Sequence, residues 1–187
     1  MNLRTAEFTT LRTAISARGT TRIVVAAVTI GIWAILAVVL VLFSDLPLAV
    51  LLPFTVLVAG FEAVHALHAG VERIGRYLQV SYEGGPDAPQ WETAAMAVGP
   101  ALPGGGVDPL FSALFIGAAV LNIAAALPAA PIWQELALLG VCHAGLVARI
   151  VRARVAAARQ RAVELDSFKA LLRQRDRDQE RPLRAAP

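Results

Sequence analysis

The sequence predicts an all-α integral membrane protein whose four transmembrane helices form two hairpins, with helices 2 and 4 extended into the cytoplasm. Of its 187 residues, 57% are hydrophobic and 17% are charged, whereas a soluble domain is about half apolar and a quarter charged. The apolar residues fall in four runs long enough to cross a bilayer. The 17 Lys and Arg residues lie between these runs or at their ends, in residues 4–22, at positions 73 and 76, and from position 149 onward.

Residues 1–20 are predicted to be a cytoplasmic amphipathic segment ahead of the first span. Phe8, Leu11 and Ile15 recur at helical spacing among arginines, which is typical of a helix that lies on a membrane surface. A frayed polar tail is the alternative interpretation. The apolar run that follows predicts the first span at about residues 22–43.

The second predicted helix starts in the membrane and ends in water. Pro47 follows a short polar turn and suits the first turn of a helix, so the second span is predicted at about residues 47–70. Its helical pattern continues to about Glu83, where a stretch rich in Gly and Pro ends it. The cytoplasmic loop, residues 71–108, is predicted to hold a short interfacial helix over residues 91–98.

The third and fourth spans are predicted at about residues 109–127 and 132–151. Asp108 and Pro109 form a helix start signal for the third span. The turns that join spans 1 and 2 and spans 3 and 4 contain no Lys or Arg, whereas the remaining segments do. The positive-inside rule therefore predicts a multi-pass protein of a bacterial-type plasma (inner) membrane with both termini in the cytoplasm.

The fourth helix is predicted to continue into a cytoplasmic tail, residues 152–187. No Gly or Pro interrupts the tail before Arg175, and apolar residues that include Val155 and Leu165 recur every three or four positions. This spacing resembles that of a coiled coil. From Arg173 the charges are mixed and the apolar residues few, which predicts a disordered end.

One face of the second helix carries a polar stripe that runs from the membrane into the cytoplasm. At 100° per residue its members fall within an arc of roughly 140°. They are Glu62, His65, His68, Glu72, Arg73, Arg76, Gln79 and Glu83. Lipid cannot satisfy the hydrogen-bonding groups of such a stripe, so protein, a cofactor or water is expected beside it.

Four polar residues within the spans define a predicted structural polar seam: Glu62, His65, Arg149 and Asn122. A rise of 1.5 Å per residue puts Arg149 level with Glu62 and His65. A lone carboxylate at that depth would cost roughly 2.5–3.5 kcal/mol, so the first interpretation pairs Glu62 with Arg149. It also gives His65 a hydrogen bond within the same cluster. Asn122 is expected within about a turn of the depth of His143.

The second interpretation is a ligand site made by Glu62, His65, His68 and His143. Glu62 and His65 have the i, i+3 spacing that helical bundles use in di-iron sites, but the second Glu-x-x-His motif of such a site is absent from the sequence. The histidines could instead hold haem b or a divalent metal, although a protein without a cofactor is the first expectation. A third interpretation is a proton or ion path lined by Glu62, His65, His143 and Asn122.

A docking face is predicted on the two cytoplasmic helix extensions, at Glu72, Arg76, Val155 and Leu165. Glu72 and Arg76 are an i, i+4 pair, and a solvated, salt-bridged helix face is the plain interpretation of such a pair. The functional interpretation is a surface that receives the extension of the fourth helix or another subunit.

Together these features predict a small membrane subunit that assembles with or stabilises a larger membrane protein complex and has no catalysis of its own. The sequence contains no P-loop, HExxH, CxxC or GxSxG motif, and its single cysteine, Cys142, lies in an apolar run. The basic residues follow the membrane topology, which argues against nucleic acid as a partner. The expected partners are the lipid bilayer and other membrane subunits or a second copy of the chain.

Overall fold

The computed structural model describes residues 3–83, 90–98 and 109–184, and the regular structure in these ranges is helical. The α-helices are α1 (Leu3–Phe43), α2 (Leu51–Tyr82), α3 (Trp91–Val98), α4 (Pro109–Ala124) and α5 (Trp133–Arg184). A short 3-10 helix, Pro47–Val50, leads into α2, and another, Leu127–Ala129, follows α4.

Four helical segments are long and apolar enough to cross a membrane. They are Leu3–Phe43, Pro47–Tyr82, Pro109–Ala129 and Trp133–Arg175. This confirms the predicted all-α class with four helices of membrane-spanning length. A bilayer needs about 20 residues of helix, so the helices that contain the first, second and fourth spans each continue well beyond their apolar parts.

The central helix is α2, which contacts each of the other four α-helices. The apolar core lies between α2 and the apolar parts of α1, α4 and α5. Its fully or nearly buried members include Leu57, Phe61, Val64, Phe115 and Ile150. The rings of Phe61 and Phe115 meet edge to face with their centroids 5.7 Å apart, an arrangement that aromatic rings favour. The polar sites described below are arranged along α2.

A glycine allows α1 and α2 to approach closely within their apolar parts. Thr29 of α1 packs on Gly60 of α2, and a Cβ atom added at Gly60 would lie 2.1 Å from the Thr29 Cγ2 atom. Any larger residue at position 60 would have to displace the threonine. Small residues have this role in many membrane helix pairs because backbones can then come close.

The first helix is continuous, so the N-terminal segment predicted over residues 1–20 joins the first span from Leu3 onward. Between Leu3 and Phe43 there is no proline, and glycine occurs only at Gly19 and Gly31. Nothing in the sequence therefore forces a break. The charged part of α1 packs along the extension of α2, where the rings of Phe8 and Tyr82 lie 5.4 Å apart.

The last helix is also longer than expected. The segment from Arg173, predicted to be disordered, is instead helical as far as Arg184. Arg, Gln and Glu have high helix propensity, and no Gly or Pro occurs in this segment before Pro182. Low hydrophobicity led to the prediction of disorder, but it does not prevent a helix from continuing once it has been nucleated by a packed segment.

Parts of the predicted cytoplasmic loop lie outside the described residues. These parts are residues 84–89, which contain the Gly- and Pro-rich stretch, and residues 99–108, which contain the predicted cap Asp108. Between them, α3 forms at the residues where a short helix was predicted.

Candidate functional site

A buried hydrogen-bond network centred on Asn122 joins α1, α4, α5 and the start of α2. Trp33 donates from Nε1 to Asn122 Oδ1 at 2.9 Å, and Asn122 Nδ2 donates to the carbonyl oxygen of Val50 at 3.0 Å. The same amide nitrogen lies 3.0 Å from His143 Nε2. Asn122 is 0% exposed and His143 is 2% exposed, so the network is closed to both solvent and lipid.

This network fixes the tautomer of His143. Its Nδ1 atom lies 2.7 Å from the carbonyl oxygen of Leu139, which can only accept, so Nδ1 carries the proton. Nε2 then accepts a hydrogen bond from the Asn122 amide. Both ring nitrogens are engaged, and the ring packs on Phe54 with centroids 4.3 Å apart. A metal ion at His143 Nε2 would have to displace Asn122.

A salt bridge between Glu62 and Arg149 joins α2 to α5. Arg149 Nη2 donates to Glu62 Oε2 at 2.8 Å, and the Arg149 guanidinium also lies 5.9 Å from the centroid of the Phe61 ring. Both charged side chains are 44% exposed. The pair therefore lies on the outer surface of the bundle, although both residues fall within the predicted spans.

His65 stacks in parallel on the ring of Phe61, with centroids 5.9 Å apart and an interplanar angle of 3°. The sequence predicted a hydrogen bond between His65 and the cluster of Glu62 and Arg149. Within the described part of the chain, His65 instead makes this ring contact. Phe61 and His65 are four residues apart and therefore neighbours on the helix surface, which brings the two rings together.

A groove adjoins His65 at the end of the bundle where α4 begins. Arg22 Nη1 donates to His68 Nδ1 in its wall at 2.8 Å, and the Arg22 guanidinium lies 4.8 Å from the centroid of the Phe111 ring. The enclosed volume is about 50 Å³. Basic or imidazole side chains (Arg22, His65, His68, Arg154) and apolar ones (Phe61, Val64, Phe111, Ile150) form most of the lining. We call this feature the basic groove.

The residues predicted as metal or haem ligands are divided among these three places. His65 and His68 line the basic groove, Glu62 lies in the surface salt bridge, and His143 lies in the Asn122 network. Val50, which shares that network, is 15 residues from His65, or about 22 Å along the helix axis. Among the residues that the structure describes, no three His, Cys, Asp or Glu side chains lie close enough to hold a metal ion.

A second polar cluster joins the extensions of α2 and α5. Arg76 is 4% exposed and donates to Glu164 of α5 and, at 3.2 Å, to Glu72 on its own helix. Arg73 reaches Glu164 at 3.3 Å, and Arg161 lies 3.6 Å from Glu72. A buried guanidinium between two carboxylates is strongly coupled to both, so this cluster ties the two extensions together.

The residues of the predicted docking face have different surroundings in the structure. Glu72 and Arg76 contact α5, and Leu165 is half-buried in a shallow groove that residues of α2 and α3 also line. Val155, in contrast, is 52% exposed. The contact between the two extensions is thus formed by ion pairs and by aromatic rings such as Phe168. A docking role of the exposed Val155 toward another subunit stays a prediction.

A carboxylate of α1 is held by two tyrosines of α2. Glu7 accepts hydrogen bonds from the hydroxyl groups of Tyr77 at 2.8 Å and Tyr82 at 2.7 Å. These hydrogen bonds lower the pKa of Glu7, while burial and the bond to Glu7 raise the pKa of Tyr82 to about 12. At neutral pH an ionised acceptor therefore faces two neutral donors. Sequence reasoning missed this contact because the partners are 70 and 75 positions apart.

The short helix α3 is hydrogen-bonded to the polar extension of α1 and to the end of α2. Glu83 accepts hydrogen bonds from the backbone N–H groups of Glu92 and Thr93, both at 2.7 Å, as suits an anion at a helix N-terminus. Glu92 accepts a hydrogen bond from Arg12 of α1 at 2.8 Å. Burial raises the pKa of Glu92, and the charge of Arg12 opposes that rise. These contacts were not predicted from the sequence either.

No protein-family model, curated protein or solved structure matches this chain. What the protein does has to be inferred from its own geometry and charge.

Proposed function

We propose that this protein is a small multi-pass membrane subunit that assembles with or stabilises a larger membrane protein complex and has no catalysis of its own. The partner is another membrane subunit or a second copy of the chain. The four spans form two hairpins in a bacterial-type plasma (inner) membrane, and both termini face the cytoplasm. The absence of Lys and Arg from the turns at residues 44–46 and 128–131 supports this orientation.

The observation that carries the proposal is the exposed salt bridge between Glu62 and Arg149. Both side chains are 44% exposed, and Glu62 lies eight residues before the predicted end of its span, or about 12 Å along the helix. Lipid tails cannot hydrogen-bond the exposed edges of these groups. Charged groups at such depth usually face protein or water rather than lipid, so a polar surface of a partner helix would complete the site.

The rigid extensions of α1, α2 and α5 give the proposal a second support. The Glu7–Tyr77–Tyr82 contact and the Arg76 cluster hold these extensions to one another. A preorganised surface loses little conformational entropy when a partner binds. The extensions are therefore suited to contact a subunit outside the hydrocarbon core, while the salt bridge contacts one inside it.

The proposal is tested by site-specific photocrosslinking in native membranes. A photoreactive residue is placed at Ala66, which is exposed and one helical turn from Glu62, and at Val120 of α4 as the matched control, which is 60% exposed. We expect a discrete crosslinked product from position 66 and none from position 120. A product near twice 19.8 kDa would identify a second copy. Equal products from both positions, or none from position 66, would contradict the proposal.

Two other functions predict different behaviour of the purified protein. A haem- or metal-binding redox subunit using Glu62, His65, His68 and His143 would show a Soret band or stoichiometric metal that is lost in His65→Ala. An oligomeric proton or ion channel, or a transporter component, would dissipate an ion gradient when reconstituted alone in liposomes. A subunit whose role is assembly should give neither result.

A further inference from the structure

We infer that the basic groove binds the phosphate group of an anionic phospholipid. Cationic side chains from two helices line the groove, Arg22 from α1 and Arg154 from α5, with His65 and His68 of α2 beside them. As far as the chain is described, the lining contains no carboxylate. The groove therefore presents a positive surface, and a phosphate is the complementary ligand.

Arg154 brings to the groove a guanidinium that no carboxylate of the described residues neutralises. Arg12, Arg73, Arg76 and Arg149 each pair with a glutamate, whereas in the described ranges no carboxylate pairs with Arg154. Its exposed side chain borders the groove. A phosphate oxygen bound there would supply the kind of acceptor that a glutamate supplies to each of those four arginines.

Apart from Ser112, the remaining walls of the groove are apolar, which favours a lipid over a free anion. Phe61, Val64, Phe111 and Ile150 line the groove beside the cations. The enclosed volume of about 50 Å³ is far below the roughly 300–1,000 Å³ of pockets that enclose a drug-sized ligand. The groove can hold a small polar group while the rest of the ligand stays outside. A phospholipid meets this requirement, because its acyl chains remain in the bilayer and cover the apolar wall.

The groove also lies at the level of the lipid headgroups. Arg22 is at the start of the first predicted span, and Arg154 is three residues past the predicted end of the fourth. Basic sites between helices at this level favour anionic headgroups, which are concentrated on the cytoplasmic side. The choice of leaflet rests on the orientation proposed above, whereas lipid binding itself does not depend on assembly into a complex.

The test uses the full-length protein in a neutral detergent, without any partner. Short-chain phosphatidylglycerol, phosphatidylcholine with the same chains, and inorganic phosphate are titrated, and binding is followed by native mass spectrometry and by the thermal midpoint. We expect phosphatidylglycerol to bind in a 1:1 complex and to raise the midpoint. Arg154→Gln should weaken its binding about tenfold. Arg152→Gln is the matched control, because Arg152 is exposed on the same helix but points about 160° away from Arg154.

Three results would overturn the inference. Equal binding of phosphatidylcholine, whose cationic choline cancels the charge of its phosphate, would show that the net negative charge of the headgroup has no role. An equal loss in Arg152→Gln would show attraction to bulk positive charge instead of a site. Displacement of the lipid by inorganic phosphate at equal concentration would show a free-anion site. Arg22→Gln provides a second variant, and its midpoint without lipid is measured first because it also loses the bond to His68. None of these results depends on the crosslinking that tests the proposed assembly.

Discussion

Thr29 of α1 packs directly against Gly60 of α2, so closely that a Cβ atom at position 60 would lie 2.1 Å from Thr29 Cγ2 and 2.7 Å from Thr29 Cβ. Thr29 is 7% exposed, and both residues lie near the middle of the helix pair. The separation of α1 and α2 at this level is therefore set by the absence of a side chain at Gly60.

Gly60→Ala should lower the stability of the detergent-solubilised protein by about 1–3 kcal/mol, the usual cost of overpacking a well-packed interior. Equilibrium unfolding in a denaturing detergent measures the change. Gly31→Ala is the control, because a Cβ there would meet nothing within 4 Å and alanine is the better helix former. Combining Gly60→Ala with Thr29→Gly should recover part of the loss. A Gly60→Ala protein as stable as the wild type would contradict the close approach.

The number of membrane-spanning helices was predictable because hydrophobic length is a local signal. An apolar run of 20 residues can only be accommodated as a membrane helix or a buried one. The continuity of α1 and the extent of α5 were not predicted. Residues 1–20 were interpreted as a separate surface helix or a frayed tail, and the mixed charges from Arg173 onward as a sign of disorder. Helices continue through polar residues when a neighbouring helix supports them, as the contact of Glu7 with Tyr77 and Tyr82 illustrates.

The polar sites were predictable only where depth along a helix decides which residues can meet. Glu62 and Arg149 are at the same predicted depth, and they form a salt bridge. That this pair lies on the outer surface depends on how the helices are rotated, which is a tertiary property. Trp33 was missed, although a tryptophan in the middle of a span, away from both interfaces, indicates a buried hydrogen-bond partner. Asn122 is that partner.

Replacing Asn122 should destabilise the protein more than removing any one of its hydrogen bonds. Asn122→Leu leaves the Trp33 Nε1–H group, the Val50 carbonyl and His143 Nε2 without their partner. Individual hydrogen bonds in membrane proteins average about 0.6 kcal/mol, and buried groups left unsatisfied cost about 1–3 kcal/mol each. Trp33→Phe removes one bond and replaces the indole by a smaller ring, which adds a cavity cost, but it leaves the other two bonds of Asn122 in place, so it should lose less. The same unfolding assay compares both, and a larger loss in Trp33→Phe would contradict the network.

Topology reporters should read outside at Ser44, outside at Ala129 and inside after Pro187. The two turns contain no Lys or Arg, and eleven of the basic residues follow position 148, so the positive-inside rule leaves no second orientation with comparable support. Paired periplasmic and cytoplasmic reporters fused at each site provide the measurement. Any other pattern of reporter signals would contradict the proposed arrangement of two hairpins.

The salt bridge between Glu62 and Arg149 should show a positive coupling in a double-mutant cycle measured in lipid nanodiscs. Arg149→Met or Glu62→Gln alone leaves one group without its partner in a medium that cannot solvate it. The double variant removes both charges and their desolvation cost, so it should recover much of the loss. Coupling between contacting residues usually lies at about 0.5–3 kcal/mol. A double variant no better than the single ones would show that the two residues do not stabilise each other.

Arg76 should matter more than Arg73 for holding the extensions of α2 and α5 together, although both contact Glu164. The Arg76 side chain is 5% exposed and that of Arg73 is 59% exposed. Arg76→Met removes the buried cation between Glu72 and Glu164 and leaves them only the more exposed Arg161 and Arg73. Breaking a buried pair in this way costs about 3–5 kcal/mol. Arg73→Met loses a surface ion pair worth about 0–1 kcal/mol. Limited chymotrypsin cleavage at Phe168, which packs on Tyr77, should therefore accelerate in Arg76→Met and stay near the wild-type rate in Arg73→Met. Equal cleavage rates in the two variants would show that the burial of Arg76 does not hold the extensions of α2 and α5 together.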